Sequence, residues 1–171
     1  DLKEEVNDSE GNAQLEDPEN AQKEVEKGQL ELMWQVELPK AIRNCAVADI
    51  NWDGVPNIVV LYKQGGFCVL DTEFGEILWD HHDLTKKDLK GVAIAPLDLS
   101  GYPYLVVGGD DKRLYFFNFE GERVHEIFLN RRISQLTIGC IDGGDHPELL
   151  VSTTSRSEEH TSELQSLLII S

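Results

Sequence analysis

Residues 48–60 of the chain spell ADINWDGVPNIVV, an apolar strand, a turn rich in oxygen-bearing side chains and a second apolar strand. Degenerate copies follow at residues 96–107 (PLDLSGYPYLVV) and 140–151 (CIDGGDHPELLV). The prolines fix the register, because 47 residues separate Pro56 from Pro103 and 44 separate Pro103 from Pro147. A repeat of roughly 40 to 50 residues made of short strands is typical of the blades of a β-propeller.

The segments between these copies supply the other strands of each blade. Trp34 and Trp79 lie 45 residues apart in the runs 31–38 (ELMWQVEL) and 75–82 (GEILWDHH), and each run closes one blade before the next begins. Gly- and Asp-rich pairs between the runs are the residues that tight hairpins require. The predicted fold is therefore all-β, a partial β-propeller of four-stranded antiparallel blades, with about two full blades and parts of the flanking ones. The predicted strands are 43–50, 57–62, 67–71 and 76–80, then 91–97, 104–108, 114–119 and 123–129, then 133–141 and 148–153.

Residues 1–30 differ in charge from the rest of the 171-residue chain, since they hold ten acidic and three basic side chains and lack an apolar period. Such a composition buries too little apolar surface to offset the entropy lost on ordering. We predict an acidic disordered linker over 1–30, followed by a propeller fragment over 31–155. The net charge of −17 makes nucleic acid and anionic membranes unfavourable partners. No apolar run reaches the length of a membrane span, so we expect no direct membrane insertion of this fragment.

Residues 156–171 interrupt the repeat in the middle of the third blade. The segment 156–166, RSEEHTSELQS, resembles the translation of a short-read sequencing adapter. This resemblance predicts a non-native tail over 156–171, with the native sequence ending near Ser155. We therefore expect the tail to form no strand that completes the third blade.

The three cysteines, Cys45, Cys68 and Cys140, lie in strand-like runs and match no metal-binding spacing. Free cysteine is among the most buried residue types, so we predict buried reduced thiols. An odd number of cysteines slightly favours a reducing, intracellular compartment.

The turn over 49–57 carries oxygen-bearing side chains at alternate positions. Gly54, at the sixth position, permits a sharp bend. Calcium binds six to eight oxygens, and a tight loop of this kind supplies several of them from one segment. The predicted calcium ligands are Asp49, Asn51, Asp53, the Val55 carbonyl and Asn57.

This spacing, with the apolar run that follows it, resembles the FG-GAP (VCBS-type) repeats of integrin-alpha-like β-propellers. The resemblance covers residues 31–155 by repeat pattern and one loop by motif, and it implies calcium at the edge of a blade. The site should be weak, because Asn57 stands where the family has aspartate and only two ligands are charged. Alternatively, Asp49 and Asn51 only hydrogen-bond to the backbone of the turn. The other two loops begin with Pro96 and Cys140, and we expect neither to bind calcium.

Residues 80–83 (DHHD) resemble a metal cluster in composition, but adjacent residues on a strand point to opposite faces. His81 and His82 therefore cannot share an ion without a bend, and we predict a solvated strand end. Trp34 and Trp79 are predicted to pack between blades. The basic residues between blades are expected to face solvent or to contribute to a partner contact; they are Lys86, Lys87, Lys90, Arg131 and Arg132.

The resemblance implies a non-enzymatic scaffold for protein–protein interaction. One alternative is an extracellular or membrane-anchored adhesion-type module with structural calcium, for which Asn7 would be a glycosylation acceptor. The other is a quinoprotein-like propeller enzyme, since residues 75–79 (GEILW) are similar to quinoprotein repeats. Such an enzyme needs a cofactor pocket on the propeller axis, and no motif supplies its ligands.

Overall fold

The computed structural model describes residues 31–97, 101–141, 143, 147–156 and 163–170, with the backbone alone for 155–156 and 163–166. The chain divides into two compact units, Asp1–Met33 and Trp34–Ser171, and all the strands belong to the second. The predicted linker over 1–30, together with Asn7, lies outside the described residues. Within the described ranges, no helix is long and apolar enough to cross a membrane.

The regular elements of the described residues are all β-strands, joined as antiparallel neighbours. Blade 1 has the order β1-β2-β3-β4, blade 2 has the order β5-β6-β7-β8, and blade 3 has the order β9-β10-β11. The predicted all-β partial propeller is confirmed. The strands are β1 (Ile42–Ala48), β2 (Asn57–Tyr62), β3 (Phe67–Asp71), β4 (Ile77–His81), β5 (Leu89–Ala95), β6 (Tyr104–Gly109), β7 (Arg113–Phe117), β8 (Arg123–Phe128), β9 (Arg132–Gly139), β10 (Glu148–Arg156) and β11 (Glu163–Ile170).

The three prolines occupy equivalent places in the blades. Pro56, Pro103 and Pro147 each stand directly before the second strand of their blade, as the repeat predicts. Proline lacks a backbone N–H, so it is tolerated just outside a strand but not within a paired ladder. The proline period therefore marks the point at which each blade begins its second strand.

Blades 1 and 2 pack through one continuous apolar core. Phe67 of β3 and Phe117 of β7 are fully buried, and their ring centroids lie 4.9 Å apart in an edge-on arrangement. Burying one such side chain contributes about 1.5–3 kcal/mol. Along β2, Val59 and Leu61 enter this core, whereas Val60 and Tyr62 enter a separate cluster on the opposite face. Both faces of blade 1 are therefore covered.

The expectation that the tail forms no strand is wrong. Strand β11 pairs with β10 in register, from Leu149↔Ile170 to Arg156↔Glu163. The physical reason is the alternation at its end, where Leu168 and Ile170 pack into the core between blades 2 and 3 while Leu167 and Ile169 are exposed. Four apolar residues at this edge satisfy the strand pattern whatever their origin. The adapter resemblance itself stays a hypothesis about the sequence.

The strand predicted over residues 31–38 does not form, because the described part of the chain supplies no ladder partner for it. Val36 and Leu38 nevertheless cover the outer face of blade 1. The Trp34 ring lies against Gly75 in the β3–β4 turn, and its Nε1 donates a hydrogen bond of 3.0 Å to the Thr72 carbonyl. Trp34, Val36 and Leu38 thus pack against blade 1, although they belong to no strand.

Candidate functional site

The loop that joins β1 to β2 folds back on itself through its side-chain oxygens. Asp49 Oδ2 accepts a hydrogen bond from the Gly54 N–H at 2.9 Å, and Asp53 Oδ1 accepts one from the Val55 N–H at 2.7 Å. Asn51 Oδ1 accepts from the Asp53 N–H at 3.4 Å, and its Nδ2 donates to Asp53 Oδ2 at 2.8 Å. These are the Asx-type bonds that the alternative interpretation of the loop requires.

Asn57, the first residue of β2, closes the same loop. It is buried, and its Oδ1 accepts a hydrogen bond from the Ile50 N–H at 3.3 Å. The loop bends through positive φ at Trp52 (58°) and Gly54 (88°), a region that residues other than glycine rarely adopt. This bend holds the Trp52 indole outward, with 56% of the residue exposed.

One oxygen of the loop lacks a protein partner. Asp49 Oδ1 is inaccessible to solvent and makes no hydrogen bond, which is costly for a carboxylate oxygen. A cation or a bound water would satisfy it. The five predicted ligand residues lie at this one turn, but side-chain oxygens of Asn51, Asp53 and Asn57 already accept hydrogen bonds from the backbone. The donor set of carboxylate, amide and carbonyl oxygens fits a hard cation such as calcium.

The second and third loops, which are predicted not to bind calcium, are only partly described. Among the described residues, no group of three His, Cys, Asp or Glu side chains is placed to hold a metal. Asp98 and Ser100 of the second loop and Asp145 of the third lie outside those residues.

The histidines of the DHHD segment point to opposite faces, as predicted, but only His82 is at a solvated strand end. His82 Nε2 lies 3.1 Å from the Asp80 carboxylate. His81 is half-buried between blades 1 and 2, where its Nε2 hydrogen-bonds with the Gly121 carbonyl at 2.8 Å. Its ring lies 4.7 Å from that of Phe117. The aromatic core beside β4 explains why the solvated prediction is wrong for His81.

The cysteine prediction is also wrong for two of three residues. Cys68 on β3 is buried, and burial raises the pKa of its thiol. Cys45 and Cys140 are exposed, because Cys45 lies on β1, much of which is exposed, and Cys140 follows the end of β9.

The β3–β4 and β7–β8 turns are built alike. Asp71 accepts hydrogen bonds from the N–H groups of Phe74 (2.6 Å) and Glu76 (2.7 Å), and these bonds, the Phe74 bond foremost, lower the pKa of Asp71. Asn118 plays the same part in blade 2, where it accepts from the backbone of Glu120 (3.1 Å) and Glu122 (2.8 Å). Both turns hold an aromatic side chain out to solvent.

Three exposed rings form a row across blades 1 and 2. The centroids of Trp52 and Tyr102 are 6.4 Å apart, and those of Tyr102 and Phe119 are 5.8 Å apart. The residues are 56%, 55% and 40% exposed. They come from the β1–β2, β5–β6 and β7–β8 loops, which all lie at one end of the blades. We call these three residues the aromatic row.

The two ends of the blades differ in charge. We define the acidic end as loops 49–56, 72–76, 101–103 and 118–122, and the opposite end as loops 39–41, 63–66, 82–88, 110–112 and 129–131. The described acidic-end loops contain no Lys or Arg; their carboxylates are Asp49, Asp53, Glu73, Glu76, Glu120 and Glu122. The opposite end mixes Asp83, Asp88, Asp110 and Asp111 with Lys40, Lys63, Lys86, Lys87, Lys112 and Arg131.

The aromatic row was not predicted from the sequence, because each loop was interpreted from its oxygen-bearing side chains and its glycines. A usable signal was present, because an aromatic residue stands beside the turn glycine in residues 101–102 and two residues before it in 52–54 and 119–121. Apolar residues inside such polar turns are candidates for exposed contacts.

The predicted interblade basic residues are partly engaged, since Lys90 pairs with Asp110 at 2.7 Å.

Comparison with solved structures supports the propeller fold. The chain aligns with two crystal structures of BBS1N in complex with ARL6DN. For the structure soaked with lead, the TM-score is 0.52 and the sequence identity 14%, over 74% of this chain and 42% of that one. For the structure soaked with mercury, the TM-score is 0.51 and the sequence identity 16%, over 72% of this chain and 36% of that one. The chain therefore spans less than half the length of these structures. At such identity the likeness shows the fold alone. No curated protein matches the chain.

A family model covers most of the propeller blades. Residues 27–152 match the model of the lambda-carrageenase beta-propeller domain, a span that begins before Trp34 and ends within β10. The match agrees with the blades that the proline repeat and the strand pairing define. The chain belongs to the lambda-carrageenase beta-propeller domain family.

Proposed function

We propose that the chain is a non-enzymatic module for protein–protein interaction built on an FG-GAP-like propeller. The aromatic row carries this proposal. Exposed apolar patches on soluble proteins mark interaction sites, and aromatic side chains are enriched in the energetically dominant parts of protein interfaces. The solved BBS1N propeller, crystallised with ARL6DN, gives one case of a similar fold bound to a protein.

The aromatic row suits this role because contacts within the fold hold two of its rings, those of Trp52 and Phe119, in place. A Cβ at position 101 would lie 3.9 Å from the Trp52 ring, so the ring approaches Gly101 across the blade boundary. Asn118 fixes the turn that presents Phe119. Rings that are already ordered lose little conformational entropy on binding, which favours affinity.

The test is site-specific photo-crosslinking with the full chain in cells that produce it. A photoreactive phenylalanine replaces Phe119 in one variant and Phe128 in the matched control. Phe128 is an aromatic residue, 57% exposed, at the opposite end of β8. We expect discrete protein adducts from position 119 that disappear when Trp52→Ala is added. Equal adducts from both positions, or no protein adduct from position 119, would contradict the proposal.

A second candidate is the adhesion-type module with a structural calcium, and the buried, unpartnered Asp49 Oδ1 favours it. Asp49, Asn51, Asp53, the Val55 carbonyl and Asn57 would hold the ion. Its role would be to fix the loop that presents Trp52. With two charged ligands we expect a dissociation constant of about 10⁻⁴–10⁻³ M, typical of extracellular modules.

The calcium proposal is tested by thermal unfolding with calcium and with chelator. A tenfold excess of calcium over the dissociation constant stabilises the folded state by about 1.4 kcal/mol. Asp53→Ala should remove that increment, lowering stability in millimolar calcium and much less in chelator. Equal destabilisation by Asp53→Ala in both buffers would leave the Asx-type hydrogen bonds as the only role of the loop.

A further inference from the structure

We propose that the aromatic row docks a segment of a partner protein in which an arginine or lysine stands two residues from an apolar residue. This inference rests on the proposed function and gives the partner its chemistry. It concerns Trp52, Tyr102 and Phe119 and the carboxylates of the acidic end.

The size of the row fits a short peptide segment. Its two centroid steps of 6.4 and 5.8 Å cover at most about 12 Å. An extended chain advances about 3.3 Å per residue, so the row accommodates roughly four residues. Alternate side chains of an extended segment point the same way, which lets two of them lie on the rings. An apolar side chain and the methylene stem of an Arg or Lys two residues away would together cover the exposed ring surface.

The charge around the row selects the sign of the partner. Asp53 follows Trp52 directly, and Glu120 follows Phe119, and both residues are exposed. The described loops of the acidic end provide no Lys or Arg to neutralise them, and Arg123, which follows loop 118–122 at the start of β8, is paired with Glu126. A cationic segment gains from these carboxylates and from the negative faces of the rings, because cation–π attraction and ion pairing act in the same direction here.

Arginine–ring stacking is already a packing mode of this fold. The Arg113 guanidinium lies 5.4 Å from the centroid of the Phe128 ring, and that of Arg123 lies 5.9 Å from the Tyr115 ring. Both pairs are within the distance at which the ring quadrupole attracts a cation. The same geometry is available to a partner arginine on Trp52, whose larger ring gives the strongest contact of this class.

The other possible occupants are disfavoured by charge. An anionic polysaccharide also stacks on aromatic rings, but it would approach an end whose described loops carry carboxylates without bases. A second copy of this chain brings its own net charge of −17, so that self-association is opposed at long range. A cationic protein segment is the occupant that satisfies both the rings and the carboxylates.

The experiment measures fluorescence anisotropy of labelled ten-residue peptides titrated with the full chain at low and physiological salt. One peptide places an arginine two residues before and another two residues after a leucine in a Gly-Ser background, and a matched peptide replaces both arginines with glutamate. We expect the arginine peptide to bind at least about tenfold more tightly than the glutamate peptide, and more weakly as salt rises. Trp52→Ala should weaken binding about tenfold, as for an interface anchor, and Phe128→Ala should leave it unchanged.

Further variants separate the contributions of ring and charge. Tyr102→Ala repeats the ring test at a second position, and Glu120→Gln should reduce both the affinity and its salt dependence. Circular dichroism of each variant confirms that the strands persist. Equal binding of the two peptides, or arginine-peptide binding that survives both ring substitutions, would overturn the inference.

Two competing occupants give distinct results. Tighter binding of soluble lambda-carrageenan than of the arginine peptide, abolished by Trp52→Ala, would overturn the inference in favour of a glycan site. Concentration-dependent dimers in sedimentation that Trp52→Ala abolishes would overturn it in favour of a second copy. Protein crosslinks at position 119 without arginine-peptide binding would refute the cationic segment and leave the interaction module standing. Absence of both would refute the two proposals together.

Discussion

Replacing Gly121 with alanine should destabilise the protein by forcing apart the contact between blades 1 and 2. Gly121 has φ +83°, and a Cβ built there would lie 2.7 Å from Cδ2 and 2.9 Å from Cε3 of Trp79. The indole cannot easily retreat, because its ring packs 5.8 Å from Phe67 and 6.4 Å from Phe117. The substitution therefore combines backbone strain with overpacking.

The magnitude follows from two separable contributions. A non-glycine residue in the left-handed region costs about 1–2 kcal/mol, and overpacking a filled core costs about 1–3 kcal/mol. Gly101→Ala is the matched control, since φ is +79° there but the nearest atoms to a built Cβ are 3.9 Å away. We expect about 2–5 kcal/mol for Gly121→Ala and about 1–2 kcal/mol for Gly101→Ala.

Thermal unfolding followed by circular dichroism measures the difference. An excess of about 1–3 kcal/mol corresponds to a melting temperature about 2–12 °C below that of the control. Adding Trp79→Leu to each glycine variant should erase most of this excess, because the clash is then removed. Equal melting temperatures for the two glycine variants, or an excess that persists with Trp79→Leu, would refute the placement of the indole on this turn.

Three further outcomes are expected. Asn57→Ala should lower the free energy of unfolding in urea by about 1–3 kcal/mol, because it leaves the buried Ile50 N–H without its hydrogen-bond acceptor. The exposed control Asn51→Ala should lower it by less than about 0.5 kcal/mol, and comparable losses would contradict this prediction. The lowered pKa of Asp71 means that its contribution to stability is present above the ordinary value of 3.8 and is lost as pH falls through the lower folded value. Asp71→Ala should therefore destabilise the protein at pH 7, and by progressively less as the pH is lowered below 3.8; a pH-independent effect would be evidence against the turn bonds. Leu168→Ser should lower the melting temperature more than Leu167→Ser, because Leu168 packs between blades 2 and 3 while Leu167 is 57% exposed. A larger loss for Leu167→Ser would mean that β11 is one residue out of register with β10.

The blades could be predicted because each level of the sequence agrees on them. Pro56, Pro103 and Pro147 repeat at the start of a second strand, and the predicted bounds of β2 and β3 match the structure residue for residue. Short apolar runs bounded by Gly and Asp turns leave few alternatives to hairpins. Predicted strand ends elsewhere differ by a few residues, because fraying at loops depends on hydrogen bonds that the pattern does not encode.

The errors share a different cause, which is that they depend on what lies beside a segment in space. The run 31–38 has a strand pattern but finds no ladder neighbour among the described residues. Strand β11 was not expected because of its apparent origin, although β10 offers it an edge. His81 lies between blades because Phe117 of the next blade reaches it. The loop over 49–57 was found from its oxygens, whereas the aromatic row required three loops that are distant in sequence.

The contact between a tryptophan and a turn glycine connects the fold to the proposed site. Trp34 covers Gly75, and Trp79 covers Gly121, so in both cases the ring of one segment lies on the β3–β4-type turn of the following blade. Phe119 stands two residues before Gly121 in that turn, and Tyr102 lies 5.8 Å beyond it. The interblade contact that stabilises the propeller therefore also fixes one end of the aromatic row. Because the row spans both blades, we expect any change that lets blades 1 and 2 slide to separate Trp52 from Tyr102, and so to weaken the proposed binding without altering a contact residue.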